Sequence, residues 1–135
     1  MKERELQKYI LDIFKDDPEI KLWRRNVGAT ITDNKKFIRF GIAGMSDLEG
    51  IIKDHKCPLC GMISYGVHVE MELKGDQGKL SAHQKNWLED TGKYNGIAIV
   101  VRPIETDPVG LRERLIREIE GQKCPTCYEK SKIEN

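Results

Sequence analysis

Two sets of side chains in this sequence combine reactive types with informative spacing. The first is Asp47, followed further along by Glu72-Leu73-Lys74. Carboxylates are hard oxygen ligands, so Asp47 and Glu72 together can hold Mg²⁺ or Mn²⁺, with the Leu73 backbone carbonyl as a third ligand. Lys74, two residues beyond Glu72 and on the same side of an extended chain, can position or deprotonate an attacking water and offset developing charge. Such a set suits hydrolysis of a phosphodiester, a substrate that acidic groups alone would repel.

The second set is Cys57-Pro-Leu-Cys60-Gly and Cys124-Pro-Thr-Cys127, two copies of one small pattern. A Cys-x-x-Cys turn points both sulfurs at one centre, and two such turns complete a tetrahedral zinc shell. Proline stiffens each turn, and Gly61 lets backbone amides approach the thiolates. The competing readings are free buried thiols, two disulfides or a redox pair. An intracellular setting disfavours disulfides, and a redox pair needs one motif at a helix start, where the sequence places neither. With 63 residues between Cys60 and Cys124, the metal would staple distant parts of the chain, either within one molecule or shared between two.

These residues need elements to hold them. Val67 to Lys74 alternates without a fault: Val67, Val69, Met71 and Leu73 on one side of a strand, His68, Glu70, Glu72 and Lys74 on the other. A solvated polar face laced with weak ion pairs is the bland reading of that alternation. The glycines at 41, 44 and 50 imply close backbone approaches around a second strand starting near Asp47. Residues 53–66 read as a hairpin excursion tipped by the first cysteine pair, which makes the two strands antiparallel and brings Asp47 to Glu72. Before them come a helix over 3–15, with Leu6, Tyr9, Ile10, Ile13 and Phe14 in one stripe, and an extended Ile20–Arg25 anchored by Trp23. Residues 26–36 read as a loop. After them, Ser81-Ala-His-Gln84 fits a capping box opening a helix buried through Trp87 and Leu88. Ile97–Val101 reads as a buried strand. Asp107-Pro108 starts a last helix, with Leu111, Leu115, Ile116 and Ile119 inward, that ends at Gly121 and delivers the second cysteine pair. The chain therefore reads as one α/β domain over residues 1–135, a central mixed sheet of about four or five strands flanked by helices, with a small zinc-binding excursion.

The composition fits a soluble domain: 135 residues, 33% charged, net charge +1. That balance gives no global pull toward nucleic acid or membrane, so basic surface must be local. Arg24, Arg25, Lys35, Lys36 and Arg39, around Phe37 and Phe40, form either a phosphate-facing patch or scattered surface charge. No run suits a membrane span and the N-terminus is no signal peptide, so a cytoplasmic protein is expected.

Four ordered blocks carry a resemblance. Trp-Arg-Arg-Asn-Val-Gly, Gly-Ile-Ala-Gly-Met-Ser-Asp-Leu-Glu-Gly, Val-Glu-Met-Glu-Leu-Lys-Gly and Leu-Ser-Ala-His-Gln-Lys-Asn-Trp-Leu together resemble the VRR-NUC family of the PD-(D/E)XK nuclease superfamily, above all its stand-alone, phage-type members. The resemblance runs from about residue 3 to about residue 107. It implies a restriction-endonuclease-like fold and a Mg²⁺- or Mn²⁺-dependent endonuclease acting on branched or otherwise structured DNA, in the host-cell cytoplasm if phage-encoded. It also implies catalytic roles for Asp47, Glu72 and Lys74, and makes Gln84 the family's helix glutamine beside the active site. Glu3-Arg-Glu-Leu6 is similar to the first helix of archaeal Holliday junction resolvases, which gives Glu3 a supporting metal role. From its residues alone, Glu3 is a first-turn acid favoured by the helix dipole. Ser46 stands where the family commonly has proline, and the cysteine pairs lie outside its core pattern. A homodimer is compatible with all of this. The alternatives are a sequence-specific restriction-type nuclease, disfavoured by the lack of a base-reading module, and an inactive zinc-stapled nucleic-acid-binding protein, disfavoured by the intact Asp47, Glu72 and Lys74.

Overall fold

The computed structural model describes residues 2–25, 28–103 and 107–134. Its elements are α1 (Glu3–Ile13), β1 (Ile20–Arg24), β2 (Gly28–Ile31), β3 (Phe37–Phe40), β4 (Leu48–Lys56), β5 (Ile63–Leu73), α2 (Ala82–Lys93), β6 (Ile97–Val101), α3 (Pro108–Glu120) and α4 (Pro125–Glu134). Four strands form a mixed sheet in the order β1-β4-β5-β6, antiparallel except for the β5–β6 pair. The parallel pair is joined through α2, as a crossover connection requires.

One face of the sheet is covered by α1 and α3. Leu6 and Ile10 of α1, with Phe14 just past its end, meet Leu111, Leu115 and Ile119 of α3 over Leu48, Ile52, Val69, Met71, Ile99 and Val101, all buried. Each such apolar side chain contributes about 1.5–3 kcal/mol by leaving water. The helix stripes and the alternating strand are thus the pattern this core needs. The ends of the helices also follow the sequence: Asp107 caps α3 through the Gly110 N–H, and Ser81 and Gln84 complete a capping box on α2. Gly50 on β4 has its reason in the β1–β4 pairing, since a Cβ there would sit 2.3 Å from the Lys21 carbonyl oxygen.

Several elements differ from the sequence expectation. Residues 26–36 do not form a plain loop: Gly28–Ile31 pairs with Phe37–Phe40 in a two-stranded sheet of its own. Asn26 and Val27 fall outside the described residues. The strand expected at Val67–Lys74 begins earlier, at Ile63, because β4 and β5 keep pairing as far as Lys56 opposite Ile63, leaving Cys57–Met62 as the hairpin tip. Trp23 is no apolar anchor: it is 39% exposed and its indole N–H donates to Glu49 Oε1 at 2.8 Å. A further helix, α4, follows Cys124; its weakly patterned sequence gave no periodic signal. Among the described residues no helix is long and apolar enough to cross a membrane.

Candidate metal centres at the two ends of one hairpin

The β4–β5 hairpin carries a carboxylate group near one end and a sulfur group at the other. At the carboxylate end, Asp47 precedes β4, Glu72 lies near the end of β5 and Lys74 follows it. The antiparallel register sets Leu48 opposite Met71, so Asp47 falls beside the Glu72–Leu73 step. The Leu73 N–H donates to Asp47 Oδ2 at 3.0 Å, fixing the Asp47 carboxylate on the backbone of the partner strand.

Glu72 is 2% exposed, and the bland reading of its strand fails there. α2 lies over the polar side of β5 instead of leaving it to water. Gln84 Nε2 donates to Glu72 Oε1 at 2.9 Å, while Glu72 Oε2 is buried without a partner. Burial, then the charge of Asp47, push the Glu72 carboxyl up to about 8, with Lys74 pulling the other way and Glu3 adding to the rise. A buried carboxylate beside a second carboxylate asks for a cation. The donor set of Asp47 and Glu72, whose Oε2 is the orphaned oxygen, fits a hard divalent metal. Glu3 stands nearby: its Oε1 accepts from the Gly75 N–H at 3.3 Å, and its charge is felt at Glu72. Gln84 thus does both jobs, closing the capping box through its Oε1 and holding Glu72 through its amide nitrogen.

One pleat further along, Glu70 is fully buried, and sequence reasoning gave it no role. Its Oε1 accepts from Arg25 Nη1 at 2.7 Å and from Trp87 Nε1 at 2.5 Å. Arg25 also grips Glu49, the residue opposite Glu70 on β4, and lies over the Trp87 ring at 5.7 Å. Burial works against the charge on Arg25, but the hydrogen bonds it donates to Glu70 and Glu49, and their charges, outweigh it, so its pKa rises. Arg25 is therefore turned inward, 9% exposed at its side chain, and is not presented to phosphate. Glu49, His68 and Glu70 also stand within 4.8 Å of one another, near enough to share a metal. The guanidinium already bridges the two carboxylates there. Two signals of this cluster were legible: Glu70 and Glu72 share a strand face, and Gln84 and Trp87 are one helical turn apart. The pairing of Glu49 with Glu70 needed the register.

Arg24, Lys35 and Lys36 are exposed as a phosphate-facing patch requires; the Arg39 side chain lies outside the described ones. Arg102 and Arg114, unassigned from sequence, form a relay beside the site. Arg102 Nη1 donates to the Gly75 carbonyl at 2.8 Å and Arg114 Nη2 to the Arg102 carbonyl at 3.0 Å, fixing the turn after Lys74.

At the far end the four cysteines converge within one chain, their sulfurs all within 4.8 Å. Zinc–sulfur bonds of about 2.3 Å in a tetrahedron place sulfurs roughly 3.8 Å apart. Cys60 Sγ and Cys124 Sγ are 3.7 Å apart, so the cluster has the dimensions to hold a zinc ion. The backbone N–H of Cys124 donates to Cys57 Sγ at 3.4 Å. That donor and the Cys60 N–H bring the Cys57 thiol down to about 6, whereas hydrogen bonding with Cys124 drives Cys127 up to about 12. Cys57 thus carries charge easily while Cys127 resists it, a conflict that a dication bound between them relieves. Contrary to the sequence expectation, one pair does stand at a helix start: Cys124 immediately precedes α4 and Cys127 lies in its first turn. Its sulfurs nevertheless face the other pair, which is the arrangement of a metal site.

A scan against protein-family models and a search of curated proteins each returned no match to this chain.

Proposed function

We propose that this chain is a metal-dependent endonuclease of restriction-endonuclease-like fold, hydrolysing phosphodiester bonds in branched or structured DNA. The observation that carries the reading is Glu72: a buried carboxylate pressed against Asp47 that, unlike Glu70, has no cation within ion-pair distance among the described residues, with a lysine two residues on. A structural ion pair would place the cation in contact, as Arg25 does for Glu70. Asp47 and Glu72 would hold Mg²⁺ or Mn²⁺, with Glu3 close by and the Leu73 carbonyl as a further ligand. The metal would polarise the scissile phosphate and make a bound water more acidic.

The remaining work falls to the protein. Asp47 is held by the Leu73 N–H and Glu72 by the Gln84 amide, so both ligands keep their orientation before substrate arrives. Lys74 lies close enough to Glu72 to lower its proton affinity. From that place its ammonium can orient the attacking water and balance charge building on the phosphate oxygens. The sulfur cluster, at the opposite end of the hairpin, serves stability as a zinc staple between the β4–β5 tip and α4. The test is purified protein with Mg²⁺ or Mn²⁺ against linear duplex, flap, single-stranded and four-way-junction DNA. Cleavage of the branched forms that disappears in Glu72→Gln is the expected result. No cleavage of any form would defeat the reading.

A further inference from the structure

The segment between β1 and β4 is larger than a connection needs. The chain leaves the main sheet at Arg25 and rejoins it at Asp47, and the Arg25 N–H donates to the Asp47 carbonyl at 2.9 Å, closing the neck. Between them β2 and β3 stand as an arm rooted beside the carboxylate end. The returning limb is seated on α2 as well. At Gly44, with φ of +89°, a Cβ would lie 2.3 Å from the His83 carbonyl oxygen, one residue from Gln84. Anything bound over Glu72 therefore lies against the base of this arm.

The tip is well fixed. The Thr32 N–H donates to the Lys36 carbonyl and the Lys35 N–H to the Thr32 carbonyl, both at 2.8 Å, and the Lys36 N–H reaches Thr32 Oγ1 at 3.2 Å. A two-stranded hairpin outside a larger sheet gains little stability on its own and normally turns its apolar residues toward cover. Here Ile31 and Phe37 pair directly across the strands, hence on one face, and remain 69% and 62% exposed. Lys35 and Lys36 are exposed beside them, against a single acid, Asp33, in the turn.

An apolar pair with ammonium groups at its edge matches the end of a base-pair stack. Aromatic and branched aliphatic side chains rest on or wedge against an exposed base pair, and lysines meet the phosphates that flank it. We propose that the β2–β3 arm is a stacking wedge, in which Ile31 and Phe37 cover the base pair at a branch point or duplex end while Lys35 and Lys36 hold the adjacent phosphates. This rests on the reading of the carboxylate end as a site that cuts DNA. It adds the means by which a branch is told from continuous duplex.

The test uses the full-length protein in Ca²⁺, with linear duplex and four-way junction of matched sequence carrying 2-aminopurine beside the branch. Wild type should bind the junction more tightly and raise the 2-aminopurine fluorescence. The double variant Ile31→Ala/Phe37→Ala should lose about tenfold or more in junction affinity, together with the fluorescence change, and stay within about twofold on linear duplex. Phe37→Tyr should restore most of both. Lys35→Ala/Lys36→Ala should weaken both DNAs alike and flatten the salt dependence by roughly two phosphate contacts. An unchanged junction preference in the double alanine variant would overturn the wedge, and so would an altered oligomeric state with unaltered DNA binding. Binding and fluorescence need no cleavage. Wild-type protein that cuts branched DNA but shows neither junction preference nor fluorescence response therefore condemns the arm alone, and a fluorescence response in a protein that cuts nothing condemns only the nuclease reading.

Discussion

The two ends of the β4–β5 hairpin solve one problem, the gathering of anionic ligands, in opposite ways. At the sulfur end four like residues come from two short motifs, each a turn that already aims its sulfurs, and the fold need only bring the turns together. At the carboxylate end Asp47, Glu72 with Lys74, Gln84 and Glu3 come from four different places in the chain. There a helix buries the strand's polar face, so that Glu72 pays a desolvation cost while Glu70, one pleat away, is matched by a guanidinium. The lesson is that a buried acid with its cation in place is structure, and a buried acid still short of one is a candidate site.

The sharpest way to break the comparison is to neutralise the carboxylate end. Glu72→Gln and Asp47→Asn should each abolish divalent-metal binding, read by calorimetry, and cleavage with it. Retained cleavage in either variant would move the active site elsewhere. Lys74→Ala should keep most of the metal affinity and lose about 10²–10³-fold in turnover, since its charge matters chiefly in the transition state. At the sulfur end, metal analysis should give one zinc per chain. Cys124→Ser should lower the melting temperature strongly while an intact Glu72 site still binds divalent metal. Four titratable thiols and no zinc in fresh protein would dispose of the staple.

Smaller effects separate Glu70 from Glu72. Arg25→Met should cost about 3–5 kcal/mol in denaturant unfolding, because Glu70 is left buried without its cation. Glu72→Gln in metal-free protein should do the reverse. The Glu72 carboxyl titrates at about 8 in the folded state, above its ordinary range, so the folded protein binds the extra proton. Metal-free stability should then fall as pH rises from the ordinary carboxylate range toward 8, and the glutamine variant should flatten that slope. A flat wild-type profile would mean that the site is better solvated than its burial indicates.

The smallest effect lies at Asp17. Burial alone would raise this carboxyl, but the N–H groups of Glu19 and Ile20 and the Arg112 guanidinium hold it below the usual range. Its contribution is present above the unfolded carboxylate pKa and is lost as pH falls through the lower folded value. Asp17→Asn should cost about 1 kcal/mol at neutral pH and remove that acid-side slope from the unfolding curve.

Much of this protein is determined by the sequence alone. The periodicity of α1 and α3, the capping box at Ser81, the Asp107-Pro108 start and the faultless alternation at Val67–Leu73 are local signals, because each depends on contacts within a few residues. The Cys-x-x-Cys pairs are local in the same sense. The tertiary structure alone decided what each local signal faces. Alternation put Glu70 and Glu72 on one side of β5, but only the seating of α2 made that side buried. Only the register set Glu49 opposite Glu70, and only the return of the chain to Asp47 turned Arg25 inward. The hairpin at residues 28–40 and helix α4 were illegible for a related reason: among their described side chains Ile31, Phe37 and Tyr128 stay exposed, so no buried periodic stripe marks either in the sequence. Burial and charge pairing are properties of neighbours distant in sequence, and they separate a structural acid from one that awaits a metal.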